Sequence, residues 1–524
     1  MGIYLNPNNA HFTLAVKAPI YVDKSKMISV IDDFIDQGNS YICVSRARRF
    51  GKTINANMLT AYYSKGCDSR ELFDRFKIAK EPCYGKKLNK YNVIYIDVNS
   101  EYQMIMNKDA LLLELTGRIK KELRKAFPSV EIEADDSLAR ALLNIYSETG
   151  EQFIIIMDEY DVLVREQASR KLFDEYLSFL NGMFKSSTVR PAIALAYLTG
   201  ILPVVRDKIQ SKLNNFIEYT MVNPGALAEY IGFTEQEVQD LCAQYGMDFA
   251  ECSRWYDGYR LNDVEIYNPR SVVSCIQNLE FGSYWNTTSS YQVIVERIQQ
   301  NFEGTRDDVI KMIAGEEIAV NVTIYLNTMD AFVTKDDVFT YLIHLGYLAY
   351  DRKEKTCRIP NEEIRQEWHN AVAVSPEYKT TDRIIKASKE LLAEALRGNA
   401  EAVAQALDVS HIHVTSNRSY NNEDALQSAI YLAFIYALNK YTVIKEMTTG
   451  KGYADVVFIP FVPDLPAMII ELKRNGSTES ALAQIRQKQY FASLAHYTGA
   501  LLFVGINYDE KAKTHTCAIE RLEK

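Results

Sequence analysis

Gly450-Lys-Gly-Tyr-Ala-Asp455 is followed by an apolar run, Ala467–Ile470, that closes on Glu471-Leu472-Lys473, with Gln484 and Tyr490 further on. In a strand, successive side chains alternate faces, so Glu471 and Lys473 share one face and Leu472 takes the other. If the strand that starts near Ala454 pairs with this one, Asp455 joins the same face. Two carboxylates and an ammonium then converge. That set suits metal-assisted hydrolysis of a phosphodiester: the carboxylates hold Mg²⁺ and the lysine orients or activates a water. A surface Glu/Lys pair at a strand end is the plainer reading of the same residues.

The ordered set resembles the PD-(D/E)xK nuclease superfamily over about the last hundred residues. The resemblance implies a helix carrying Glu423, Asp455 after a glycine turn, Glu471-x-Lys473, and a helix with Gln484 and Tyr490. It also implies an α-β-β-β-α-β order completed by the strand Ala500–Asn507. Asp455 and Glu471 would hold the metal, assisted by Glu423 and the Leu472 carbonyl. Lys473 would serve the attacking water, and Gln484 would support the site or the substrate. Glu446 is a rival acid. Glu423 fits equally a charge at a helix N-terminus. His515 and Asn507 read as structural.

A second pattern lies at the front. Ser40-Tyr-Ile-Cys-Val-Ser45 is a short apolar strand that runs through Arg46-Ala47-Arg48-Arg49-Phe50 into Gly51-Lys52-Thr53, and a helix follows. Strand, turn and helix with Gly-Lys-Thr at the helix start is the P-loop layout, in which Lys52 reaches phosphates and Thr53 ligates Mg²⁺. The first glycine of the full motif is replaced by Arg46. Alone, the tripeptide reads as a solvated loop. A hundred residues on, Phe153–Met157 ends in Asp158-Glu159. An acidic pair at the carboxyl end of an apolar strand fits Asp158 holding Mg²⁺ and Glu159 polarising a water. The strand Ala192–Leu198 ends in Thr199-Gly200, a layout that resembles AAA-type ATPases, in which a polar sensor of the terminal phosphate sits at this place. Ligands of open α/β sheets bind at such strand ends.

Together these residues resemble a bacterial family of AAA-ATPase-like proteins joined to a C-terminal PD-(D/E)xK domain, and the resemblance covers nearly the whole chain. Its carriers include Tyr21–Ser25, Arg46–Thr53, Asp158–Asp161, Thr199–Ile201, Leu213–Asn215, Gly232–Glu237, Trp255–Arg260 and Tyr267–Pro269. Ala47 replaces the family's usual proline. The resemblance implies ATP binding by Arg46, Arg48, Arg49, Phe50, Gly51, Lys52, Thr53, Asp158 and Thr199. Arg48 and Arg49 would contact phosphate or a neighbouring subunit, which leaves a homo-oligomer open. A solvated basic face fits them equally.

The middle reads as helical. Thr234-Glu-Gln-Glu237 is a capping box, and the aromatic turns at 255–260 and 267–269 pack between helices or form a lid with Arg260 as a sensor. Residues 334–372 read helix, β-hairpin, helix. The expected architecture is α/β: a P-loop AAA-type parallel-sheet ATPase domain (1–224), a helical lid region (225–330), a winged-helix-like module with a helical spacer (331–415) and a restriction-endonuclease-like α/β domain (416–524).

Bulk composition bounds the rest. The 524 residues exceed one core, so about three domains are expected. No apolar run approaches the ~20 residues that span a bilayer. The opening Met-Gly-Ile-Tyr-Leu-Asn-Pro lacks a basic region followed by an apolar core, so no signal peptide is expected. Eight scattered cysteines without Cys-x-x-Cys suit a reduced, cytoplasmic protein. The net charge of −9 gives phosphate binding no help. Mg²⁺ and ATP are the expected cofactors, and nucleic acid, DNA favoured, is the expected partner. The leading expectation is an ATP-binding protein whose nucleotide state controls a nuclease. The alternatives are a nucleotide-gated interaction protein with an inactive nuclease-like domain, and a DNA-translocating motor.

Overall fold

The computed structural model describes residues 2–166, 168–203, 215–285, 292–299, 302, 304–313, 315–323, 325, 332–374, 379–414, 430, 433–434, 436–437, 440–449, 452–460, 465–487, 497 and 499–522. The chain divides into two compact units: residues 1–290, 301–305 and 317–365 form the first, and residues 291–300, 306–316 and 366–524 the second.

In the first unit, β1 (Tyr41–Ser45), β2 (Asn92–Asp97), β3 (Phe153–Asp158), β4 (Ile193–Gly200) and β5 (Ile217–Tyr219) form a parallel sheet in the order β2-β3-β4-β1-β5. Parallel neighbours need long crossovers. Helices supply them: Lys52–Tyr63 after β1, Leu111–Ala126 and Leu138–Thr149 before β3, and Arg170–Phe184 before β4. Every residue of β1, β3 and β4 is buried, as unbroken apolar strands under helices should be. Ile94, Ile155, Met157 and Leu198 pack with Leu115, Ile119, Leu142 and Leu172 in one core. The register pairs Ser45 with Gly200, Thr199 with Asp158, and Asp158 with Asp97. The carboxyl ends of four strands therefore lie level.

The middle is helical with two additions. The helix Glu235–Tyr245 carries the expected capping box and ends on Gly246 in the left-handed conformation. Before and after it, β6 (Phe233–Thr234), β7 (Tyr259–Leu261) and β8 (Val264–Tyr267) form an antiparallel sheet in the order β6-β8-β7. This sheet replaces the turns that the residue pattern suggests. Leu261 pairs with Val264 across Asn262-Asp263, and Asn262 has φ of +59°, a conformation Asn tolerates in a two-residue hairpin loop. The second addition is β9 (Ile318–Ala319). The helix–hairpin–helix motif is present as Lys335–Leu345, β10 (Ala349–Asp351) with β11 (Thr356–Arg358), and a helix beginning at Glu362. β9 pairs with β11 as a third strand.

In the second unit, β12 (Tyr441–Thr449), β13 (Gly452–Pro460), β14 (Ala467–Arg474), β15 (Leu501–Asp509) and β16 (Thr514–Leu522) lie in sequence order. All neighbours are antiparallel except the parallel pair β14–β15, which the helix Thr478–Gln487 connects. β16 is an addition to the expected order. The helical spacer is broken into two helices, Lys379–Arg397 and Ala400–Val414. Even-numbered residues of β14, Ile470 and Leu472, join a core with Leu391, Leu407, Val504 and Ile506. Odd-numbered ones, Ala467 and Ile469, join Val457, Leu482 and Ile485. The odd face is thus the one that the helix Thr478–Gln487 covers.

Among the described residues, no helix is long and apolar enough to cross a membrane.

Candidate functional site

The first site forms around the loop that leaves β1. Gly51 has φ of +89° with open space where a Cβ would sit, the left-handed geometry that glycine adopts without penalty. It turns the chain into the helix Lys52–Tyr63, whose N-terminus has no side-chain cap. Such a terminus presents N–H groups and a positive dipole end to an anion. A cavity of about 810 Å³ lies there, and Arg48, Arg49, Phe50, Gly51, Lys52 and Thr53 all line it.

The charges around this cavity hold one another. Lys52 Nζ donates to the Arg46 and Ala47 carbonyls, each at 2.9 Å. Burial lowers its pKa to about 8, opposed by the Glu159 and Asp158 carboxylates. Burial raises Asp158 to about 7, and the Thr53 hydroxyl, hydrogen-bonded to it, opposes the shift. Tyr95 also hydrogen-bonds to Asp158. Glu159, at φ of +51°, pairs with Arg165, whose Nε lies 3.2 Å from Asp161 Oδ2. Asp161 in turn accepts the Ile201 and Leu202 N–H groups, at 3.0 and 2.8 Å.

Three expected phosphate contacts lie differently. Arg46 is wholly buried, and its Nη1 donates to the Ser45 and Tyr219 carbonyls at 3.0 Å each. Its position at the strand end, before the loop turns outward, aims it into the core. Arg49 lines the cavity, yet its Nη1 donates to the Tyr284 and Trp285 carbonyls at 2.7 and 3.0 Å. Thr199 is buried beside Asp158 in the sheet, its hydroxyl without a hydrogen-bond partner among the described residues. Phe50 packs edge-on against Tyr259, with ring centroids 5.3 Å apart.

Sequence reasoning missed other cavity residues. Lys24, Arg165 and Arg270 line it. Lys24 Nζ donates to Glu237 Oε2 at 2.6 Å. Arg270 follows Asn268, which caps the helix Pro269–Asn278. Arg260 pairs instead with Asp263 and Glu265 at the hairpin. The Tyr267-Asn268-Pro269 motif was the available signal for Arg270.

The second site grows from the odd face of β14. That face carries Glu471 and Lys473 onto the helix Thr478–Gln487. Gly505, opposite Glu471 in β15, lets the helix approach: a Cβ there would meet the Thr478 carbonyl oxygen at 2.8 Å and Ala481 Cβ at 3.1 Å. Gln484 thereby reaches both charges. Lys473 Nζ donates to Gln484 Oε1 at 2.7 Å and lies 3.2 Å from Glu471 Oε1, which also accepts from Gln484 Nε2. Glu471 is 1% exposed, so the ammonium offsets a buried carboxylate. Asp455 sits one step beyond the Val456–Ile470 pair, on the face of Val457, and its Oδ2 accepts the Leu472 N–H at 2.7 Å. Asn507 Oδ1 accepts the Gly476 N–H at 2.8 Å, and His515 Nδ1 lies 2.8 Å from Asp408. Glu423 and Tyr490 lie outside the described residues, and the Glu446 side chain does too. Among the described residues no group of three or more His, Cys, Asp or Glu is placed to hold a metal.

The chain is similar to a known protein over most of its length and, in two stretches, to family models. A protein of Azotobacter chroococcum mcd 1, described as an uncharacterized protein in the vnfD 5′ region, is 24% identical over 492 residues, 90% of this chain and 89% of the relative. The Aeropyrum pernix ORC2 protein (ADPNP–ADP complexes) overlays with a TM-score of 0.25 at 10% identity, covering 67% of this chain and 94% of that one. The Aeropyrum pernix ORC1 protein in complex with DNA overlays at 0.24 and 9%, covering 94% and 99%. Residues 10–210 match the family model described as Predicted AAA-ATPase, and residues 421–517 match that of the PD-(D/E)XK nuclease superfamily. The chain therefore joins an AAA-ATPase-like region to a C-terminal region of the PD-(D/E)XK nuclease superfamily.

Proposed function

We propose that the chain is an ATP-binding protein whose nucleotide state governs a Mg²⁺-dependent nuclease acting on nucleic-acid phosphodiesters, DNA favoured. The observation that carries the reading is the joint placement of Asp455, Glu471, Lys473 and Gln484 on one face of the second unit's sheet.

The residues fit a hard divalent cation. Asp455 and Glu471 supply anionic oxygens at adjacent strand positions, the donor type Mg²⁺ takes. Bound there, the ion would polarise a phosphoryl oxygen and lower the pKa of water. Lys473, oriented by Gln484, would hold the attacking water and steady charge on the phosphate. In the first unit, Thr53 and Asp158 would hold Mg²⁺, Lys52 would exchange the loop carbonyls for phosphate oxygens, and Glu159 would orient a water.

The test is to incubate the full chain with plasmid and single-stranded DNA, with Mg²⁺ or Mn²⁺, with and without ATP, beside Lys473→Ala. Cleavage lost in the variant supports the nuclease, and its dependence on ATP reports the coupling. No cleavage under any condition overturns the reading in favour of a nucleotide-gated interaction protein.

A further inference from the structure

Arg165 is a cavity-lining cation that bridges two acids of the Asp158–Asp161 turn. It is on the short helix Val162–Arg165, and its side chain is 8% exposed. Its Nη2 donates to Glu159. Its Nε lies 3.2 Å from Asp161 Oδ2 without the alignment of a hydrogen bond, and that buried N–H has no hydrogen-bond partner among the described residues. A guanidinium offers five donors in a rigid fork that matches phosphate oxygens. That Nε–H thus faces a carboxylate at ion-pair distance but off the line of a hydrogen bond, beside a cavity with an anion-seeking helix end.

Glu159 is the other half of the pair. Its backbone takes φ of +51°, a strained position for a residue without glycine's freedom. Lys52 shows the same pattern as Glu159. Both charges are held on internal partners, Lys52 by the Arg46 and Ala47 carbonyls and Glu159 by Arg165.

We propose that Arg165 contacts the terminal phosphate of a bound nucleoside triphosphate, exchanging Glu159 for that phosphate and so releasing Glu159 to face the attacking water. The inference rests on the nucleotide-binding reading of this pocket. A diphosphate lacks the group that Arg165 would take, so it leaves the Glu159–Arg165 pair closed. Arg165 therefore makes the pocket distinguish triphosphate from diphosphate. Asp161, which Arg165 also faces, holds the Ile201 and Leu202 N–H groups, so the pair adjoins the chain that leaves β4.

The experiment compares the full-length wild type with Arg165→Ala and Arg165→Lys. Affinities for ADP and for a non-hydrolysable β,γ-imido ATP analogue are measured with Mg²⁺ by titration calorimetry, and thermal midpoints check folding. Arg165→Ala is expected to weaken the triphosphate analogue about tenfold or more, the worth of a charge-assisted hydrogen bond, and to change ADP affinity by less than about twofold. Arg165→Lys, which keeps the charge and the fold if Ala does not, falls between wild type and Ala in the same ratio. Equal losses for both nucleotides, or no loss for either, overturn the proposal and make Arg165 a scaffold residue. A wild type that binds neither nucleotide instead overturns the nucleotide reading of the pocket, with this inference along with it.

Discussion

Lys473 Nζ lies 2.7 Å from Gln484 Oε1, so an ammonium at the end of a strand is aimed by a helix that only Gly505 allows to come close. The charge that would serve a water is set by packing at a neighbouring strand on the same face of the sheet.

Gln484→Ala should therefore lower cleavage about ten- to hundredfold, the usual cost of losing a residue that orients the reacting groups, while leaving the thermal midpoint near wild type. Activity assays beside far-UV circular dichroism check it. Unchanged cleavage would make Gln484 a bystander.

Gly505→Val tests the same geometry from the backbone side. The added carbons collide with the Thr478 carbonyl and Ala481 and push the helix outward. Overpacking of this kind costs about 1–3 kcal/mol. The variant should lose stability in denaturant titration and lose cleavage more than DNA affinity.

Asp455→Asn keeps an acceptor for the Leu472 N–H but removes a charge. Folding should persist and Mg²⁺-dependent cleavage should vanish, whereas Asp455→Ala should also lose about 1 kcal/mol from the unmet N–H. Cleavage retained by the Asn variant would place the metal elsewhere.

Lys52→Ala should abolish nucleotide binding, read by calorimetry. Undiminished affinity would remove the P-loop assignment.

Glu363 offers a pH signature. It accepts from Ser271 Oγ at 2.8 Å and from the Tyr284 N–H at 2.7 Å, and burial raises its pKa from 4.5 to about 7. Between those values the folded chain holds the proton more tightly than the unfolded one. Its contribution to stability is thus present below about pH 4.5 and is lost as pH rises through about 7. Glu363→Gln should flatten that decline, a difference of up to about 3 kcal/mol between pH 5 and 8, visible in chemical denaturation of both proteins at the two pH values.

Much of this architecture was legible in the residues. The apolar runs at 41–45, 153–157 and 193–198 are strands because every side chain in them is buried. The alternation from Ala467 to Lys473 assigns the charged pair to the face opposite Leu472. Thr234 and Glu237 announce a helix start by local hydrogen bonding alone. What sequence order does not carry is which distant side chain arrives at a site. Lys24, Arg165 and Arg270 enter the cavity through tertiary packing, and no local periodicity marks them. Arg46 looks like its basic neighbours in the loop, yet its place two residues before Arg48, at the strand end, buries it against Ser45 and Tyr219. The hairpin at 259–267 was hidden because its strands span three and four residues, too short to establish alternation.

The order of the parallel sheet also bears on how the chain comes off the ribosome. β1 is made early, but its two hydrogen-bonding neighbours are β4 and β5. Until Ile193 and the residues beyond it have emerged, both edges of β1 are unpaired, and the loop that ends in Gly51 has no sheet to brace it. Closing so long a chain segment is entropically slow. A nascent chain ending before β4 should depend on chaperones and bind no nucleotide, and the pocket should appear in one step once β4 inserts between β3 and β1.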